Sequence, residues 1–83
     1  MDQTTLTREQ VKQLEGLKFW VREKHILSNF KKNTYEADQA IQDSFKQCDG
    51  VGIPHWIQMA VANAEPHCDI LDVLDEHKIA RKN

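Results

Sequence analysis

The side chains of this sequence best suited to chemistry are Cys48, His55, His67, Cys68 and His77, all in its second half. Zinc takes thiolate and imidazole ligands in a tetrahedron, usually from closely spaced pairs. Here six residues separate Cys48 from His55, His67 and Cys68 are adjacent, and eight residues separate Cys68 from His77. Neighbours on a helix point about 100° apart, so His67 and Cys68 are poorly placed to share one ion. The spacing predicts ordinary core cysteines and helix-end histidines, with no metal and no cofactor.

Asp69, Asp72, Asp75 and Glu76 form the second constellation. General acid–base chemistry needs two carboxyls in a cleft with divergent proton affinities. A row at helical spacing supplies a solvated acidic stripe instead. Calcium loops alternate oxygen ligands around a glycine, which a regular helix does not do. The stripe is therefore read as surface, with an acidic partner-binding face as its functional form.

Covalent and phosphate chemistry find no purchase. The sequence has no Gly-x-Ser-x-Gly, no phosphate loop and no Gly-x-Gly-x-x-Gly, and Gly50-Val51-Gly52-Ile53-Pro54 lacks a lysine and a preceding strand. It reads as a turn. A cysteine–histidine pair would need a substrate cleft that so short a helical chain hardly provides. The expectation is a protein that is not an enzyme.

The segments on either side of that turn resemble a helix-turn-helix, but the candidate recognition helix, residues 54–64, contains no Lys or Arg. Base edges and phosphates call for those side chains. Basic residues concentrate instead in the first helix, where Glu9, Glu15 and Glu23 break up Arg8, Lys12, Lys18, Arg22 and Lys24. That mixture predicts a solvated face with some intrahelical pairs.

Four helices must position these residues. Thr7 with Gln10 predicts a capping box, and Leu6 with Val11 a hydrophobic staple, at the start of a helix running to about residue 30. Val11, Leu14, Leu17 and Val21 recur on one side of it, while Phe19, Ile26 and Phe30 lie roughly opposite. One long, curved helix is expected. Asn33 or Thr34 caps a second helix with Ala37, Ile41, Phe45 and Cys48 on its apolar face, and Gly50 is expected to end it in the left-handed conformation. Pro54 at the first helical position opens a third helix, whose expected face is Ile53, Trp56, Ile57, Ala60, Val61 and Ala64. Pro66 closes it and opens a fourth, with His67, Ile70, Leu71, Leu74 and His77 or Lys78 on one stripe and Val73 beside it, the four acids outward, and His77, Lys78, Arg81 and Lys82 near its end. No segment alternates with period two. The fold class expected is all-α, a compact bundle or orthogonal array of about four helices, with residues 1–83 forming one domain.

The balance of the sequence bounds the rest. Seven basic and three acidic side chains occupy residues 8–32, whereas residues 33–77 hold Lys46 against nine acids. Such bipolarity can pair the halves internally or turn an acidic face outward. Forty per cent hydrophobic residues, with three Gly and two Pro, suit a folded helical protein. The first residues show no signal-peptide pattern and no apolar run approaches a membrane span, so the expected setting is cytoplasmic, with both thiols reduced. In so small a domain most of the aromatic residues are expected in the core, with Trp56, beside a turn, as the exception.

The leading functional expectation is a non-enzymatic protein-binding module, regulatory or adaptor in kind, by analogy with small acidic helical accessory proteins of bacteria and of their mobile elements and phages. Its partner is another protein, a second copy of the chain included, and neither a nucleic acid nor a membrane. Its surface draws on Trp56 and His55 and on the acidic face of the second and fourth helices, with Asp69, Asp72, Asp75 and Glu76 on the fourth. Two alternatives stand beside it: an acidic nucleic-acid mimic that blocks a nucleic-acid-binding enzyme, and a DNA-binding protein using the basic first helix.

Overall fold

The computed structural model of the chain describes residues 5–81. The opening Met1–Thr4 and the cation Lys82 lie outside the described residues. Four helices, α1 (Arg8–Asn29), α2 (Tyr35–Gly50), α3 (His55–Asn63) and α4 (Ile70–Glu76), form a compact all-α array. Two short strands, β1 (Thr5–Leu6) and β2 (Ala80–Arg81), join its ends.

Helix α1 begins as its sequence dictates. Gln10 N donates to Thr7 Oγ1 (3.2 Å) and Thr7 N donates to Gln10 Oε1 (2.9 Å), so two otherwise orphaned N–H groups are satisfied reciprocally. The same Gln10 side chain donates from Nε2 to the Val51 carbonyl (2.9 Å), tying the start of α1 to the end of α2. The helix then runs unbroken through 22 residues.

Three helices end alike. After α1, Lys31 N donates to the Ser28 carbonyl (3.0 Å) and Lys32 N to Leu27 (2.9 Å). Gly52 to Asp49 and Ile53 to Cys48 repeat the pair after α2, and Lys78 to Asp75 and Ile79 to Leu74 repeat it after α4. This double bond requires a left-handed residue just past the cap. Gly52 (φ 79°) takes that position after α2, not Gly50, which is still helical; the helix continues one turn-residue further before the chain reverses. Lys31 (φ 55°) and Lys78 (φ 57°) hold it elsewhere, although each carries a Cβ that disfavours the conformation. Ile53 and Ile79, the residues that follow two of these turns, are buried beside Cys48 and Leu74 in the core.

The prolines act slightly outside their expected places. Pro54 is the N-cap of α3 with extended backbone, and His55 is the first helical residue. Pro66 does not open α4: residues 65–69 form a turn, in which Cys68 N donates to the Glu65 carbonyl (3.1 Å), and Asp69 caps α4 by accepting from Leu71 N (3.0 Å). A side-chain acceptor at Asp69 sets the start more strongly than a proline three residues earlier.

The core is aliphatic. Leu6, Leu14, Leu17, Ile53, Ile57, Val61, Ile70, Val73, Leu74 and Ile79 pack with Cys48, and Val11, Val21, Ile41 and Phe45 close around them. No aromatic residue among those described is fully buried, contrary to expectation; Phe30 (71%) and Tyr35 are largely open to solvent, and Trp56 (49%) and Phe19 (44%) are about half exposed. Short helices at close approach leave spaces that branched aliphatic side chains fill, so the larger rings are displaced to the rim. The α3 face shifts accordingly: Ile57, Gln58 and Val61 are buried, and Trp56 is not.

Two further departures concern polar groups. Lys18, expected on the solvated face of α1, is 5% exposed and donates from Nζ to the Glu65 carbonyl, pinning the α3–α4 turn to α1. Gln58 is buried and donates from Nε2 to Asp49 Oδ1 (2.7 Å) and to the Ile53 carbonyl (3.0 Å), which fastens α3 to the turn before it. Its Oε1 has no partner. The strand pair is parallel, with Thr5 opposite Ala80 and Leu6 opposite Arg81. Two residues are too few to display a period, so only the meeting of the chain ends reveals them.

Candidate partner-binding groove

Two surface grooves flank the turn at residues 65–69. The first, of about 410 Å³, runs between α3 and α4. Ala60, Asn63 and Ala64 form its α3 wall and Asp72, Val73, Glu76 and His77 its α4 wall, with Glu65 and Cys68 at one end. Ala60 and Ala64 recur one turn apart, as do Asp72 and Glu76, so each helix presents a single row to the groove. The α3 row is small and apolar and the α4 row anionic. Trp56, exposed in the first turn of α3, stands one turn before Ala60 on the same side, and exposed Met59 lies next to it.

Three carboxyls, those of Glu65, Asp72 and Glu76, therefore line a channel with an apolar floor. None pairs with a described cation, since the ion pairs among the described residues are Lys24–Asp38 (2.8 Å) and Arg81–Asp75 (3.2 Å). His77, also on the wall, makes a 3.0 Å hydrogen bond between Nδ1 and the Val73 carbonyl, which fixes its ring. The arrangement can hold a cationic, partly apolar segment.

The residues singled out from the sequence separate into three groups. Asp72 and Glu76 meet in this groove, with Trp56 beside its α3 wall. His55 is exposed one residue before Trp56, at the start of α3. Asp69 is occupied in capping α4, and Asp75 turns away to Arg81. Glu65, Asn63 and His77 complete the groove and were not legible as members; a turn residue, the last residue of α3 and the C-cap of α4 come together only when the two helices pack.

The second groove, of about 440 Å³, lies between α1 and the 65–69 turn and is lined by Glu15, Lys18, Phe19, Arg22, His67, Cys68, Asp69 and Ile70. His67 stands edge-on to His25 with ring centroids 5.4 Å apart. Charges of both signs balance along it.

Both cysteines are free thiols. Burial, reinforced by the neighbouring Asp49 carboxylate, pushes the Cys48 thiol above its ordinary value, so it stays protonated and unreactive at neutral pH. Among the described residues, no three His, Cys, Asp or Glu side chains converge as they would around a metal ion. No described helix is long and apolar enough to cross a membrane. Comparison with family models, curated proteins and solved structures found no match for this chain.

Proposed function

We propose that this chain is a non-enzymatic helical module that binds another protein, holding a basic and partly apolar segment of it in the α3–α4 groove. The observation that carries this reading is the juxtaposition of the Asp72 and Glu76 carboxylates with the exposed Trp56 and Met59 rim. Aromatic anchors beside charges that select the partner are the ordinary composition of a binding surface. Trp56 is about half exposed, and neither Asp72 nor Glu76 pairs with a described cation.

Wild type, Trp56→Ala and Asp72→Lys/Glu76→Lys, each used as bait in native cell extract with quantitative mass spectrometry, test the reading. A single protein retained by wild type and depleted at least about tenfold by both variants is the expected result, tenfold being about 1.4 kcal/mol. Equal recovery by all three baits overturns it.

Nucleic-acid mimicry is the second reading, favoured by the exposure of Asp69 at the cap of α4 and of Asp72, Asp75 and Glu76 along it. Its captured partner is a nucleic-acid-binding enzyme displaced by duplex DNA, with affinity falling steeply from low to high salt. Direct DNA binding through α1 has less support, because Lys18 is buried and Lys24 is engaged by Asp38.

A further inference from the structure

Helix α1 has a second face that the fold leaves uncovered. Lys12, Gly16, Phe19, Glu23, Ile26 and Phe30 follow one another by alternating steps of four and three residues, the spacing of a helix–helix seam. Leu14 and Leu17 point the other way, into the core. Phe19 and Phe30 on the outer row are exposed, and Ile26 is half-buried. Gly16 sits mid-helix, where glycine is unfavourable, and a Cβ placed there meets nothing within 4 Å. The row thus has a large ring, Phe19, one turn from an open notch.

We infer that the Lys12–Glu23 stretch of this row is the interface of an antiparallel homodimer, with Phe19 of each copy seated over Gly16 of the other. A two-fold interface must be complementary to itself, so each pairing occurs twice. Running the two helices in opposite directions with Phe19 opposite Gly16 also sets Lys12 opposite Glu23. In the same register Glu15 and Arg22, which share one flank of the row, come within reach of each other across the interface. None of these four charges makes an ion pair with a described residue of its own chain. Competing arrangements lose this match. A parallel pair puts Glu23 against Glu23, and an antiparallel pair slipped by seven residues puts Arg22 against Arg22. The unpaired charges therefore specify both the occupant, a second copy of the chain, and its register. This surface is separate from the α3–α4 groove.

Sedimentation equilibrium of the whole chain, from about 5 to about 200 µM at moderate salt, tests the inference. Wild type is expected to be a dimer with a micromolar dissociation constant. Lys12→Glu and Glu23→Lys, each creating two like-charge contacts, are expected to weaken it by on the order of tenfold or more, and Lys12→Glu/Glu23→Lys to restore it to within about threefold. Phe19→Asp is expected to be monomeric, with circular dichroism checking that it folds; the charge variants, being on the surface, keep the test open if it does not. Trp56→Ala leaves the dimer constant unchanged, so loss of the partner in the groove and loss of the dimer are distinguishable. A monomeric wild type across this range, or a double variant as weak as the single ones, overturns the inference.

Discussion

The two ends of the α1–α2 hairpin are built on different principles. At one end, Leu14 and Leu17 of α1 and Cys48 of α2 join α3, α4 and the paired chain ends in a single aliphatic cluster. Beyond Val21 and Ile41 that cluster has no member; His67 of the 65–69 turn still reaches His25, and past it the hairpin continues as two helices, in a molecule of 44 × 24 × 20 Å. Buried Ala37 lets the helices approach, and the Lys24–Asp38 ion pair bridges them. At the tip, Phe30 and Tyr35 stand in solvent around Lys31 and Lys32. One end is held by burial and the other by helix continuity, a small contact and a screened charge pair. Stability therefore resides in the first end, and the second is free to vary or to meet other molecules.

The largest effect that could break this contrast is a cavity. Leu17→Ala, in the cluster, should cost about 3–5 kcal/mol, a large share of the roughly 5–15 kcal/mol that holds a folded protein together. Phe30→Ala, although it removes a larger side chain, should stay within about 0.5 kcal/mol at concentrations where the chain is monomeric. Urea denaturation of the two variants decides the matter, and comparable losses would dissolve the distinction.

An intermediate effect sharpens it. Lys31→Gly and Lys78→Gly relieve the same left-handed strain, one at the hairpin tip and one beside the core, and each should stabilise the protein by about 0.5–1 kcal/mol. Hydrogen exchange locates the gain: Lys78→Gly should slow exchange throughout the core, whereas Lys31→Gly should slow it mainly in the last turn of α1 and the first of α2.

The smallest effect is electrostatic. A hydrogen bond from the Lys24 ammonium, aided by Thr34, holds the Asp38 carboxyl below its usual range against a weaker opposing effect of desolvation. A lowered value in the folded state means that the ionised form is the stabilised one. The contribution is complete above the ordinary carboxylate value of about 4 and disappears as pH falls through the lowered one. Asp38→Asn should therefore depress Tm slightly near neutral pH, less at high salt, and not at all at strongly acidic pH, as thermal scans at the three conditions would show.

Much of this architecture was legible in the residues. The Thr7–Gln10 box, the Val11–Leu14–Leu17 stripe and the clean amphipathic pattern through Ala37, Ile41, Phe45 and Cys48 act over one or two helical turns, and such local signals survive without knowledge of the rest. The acidic row of α4 was equally visible, because helical spacing alone puts Asp72 beside Glu76. The sequence could not show that Asp75 would be claimed by Arg81, or that Glu65 and His77 would join the groove.

What the sequence by itself determined is the set of helices, the capping box of α1 and the apolar stripes of α1 and α2, since these depend on backbone propensity and on the period of hydrophobic side chains. Only the tertiary structure decided which apolar residues enter the core. Phe19, Trp56 and Phe30 are as hydrophobic as Leu14 or Ile57, but close packing between short helices selects by shape, and the rings were left outside. It likewise turned Lys18 inward and brought Thr5 and Leu6 beside Ala80 and Arg81. Those contacts join residues distant along the chain, and their free energy exists only once the intervening helices have packed.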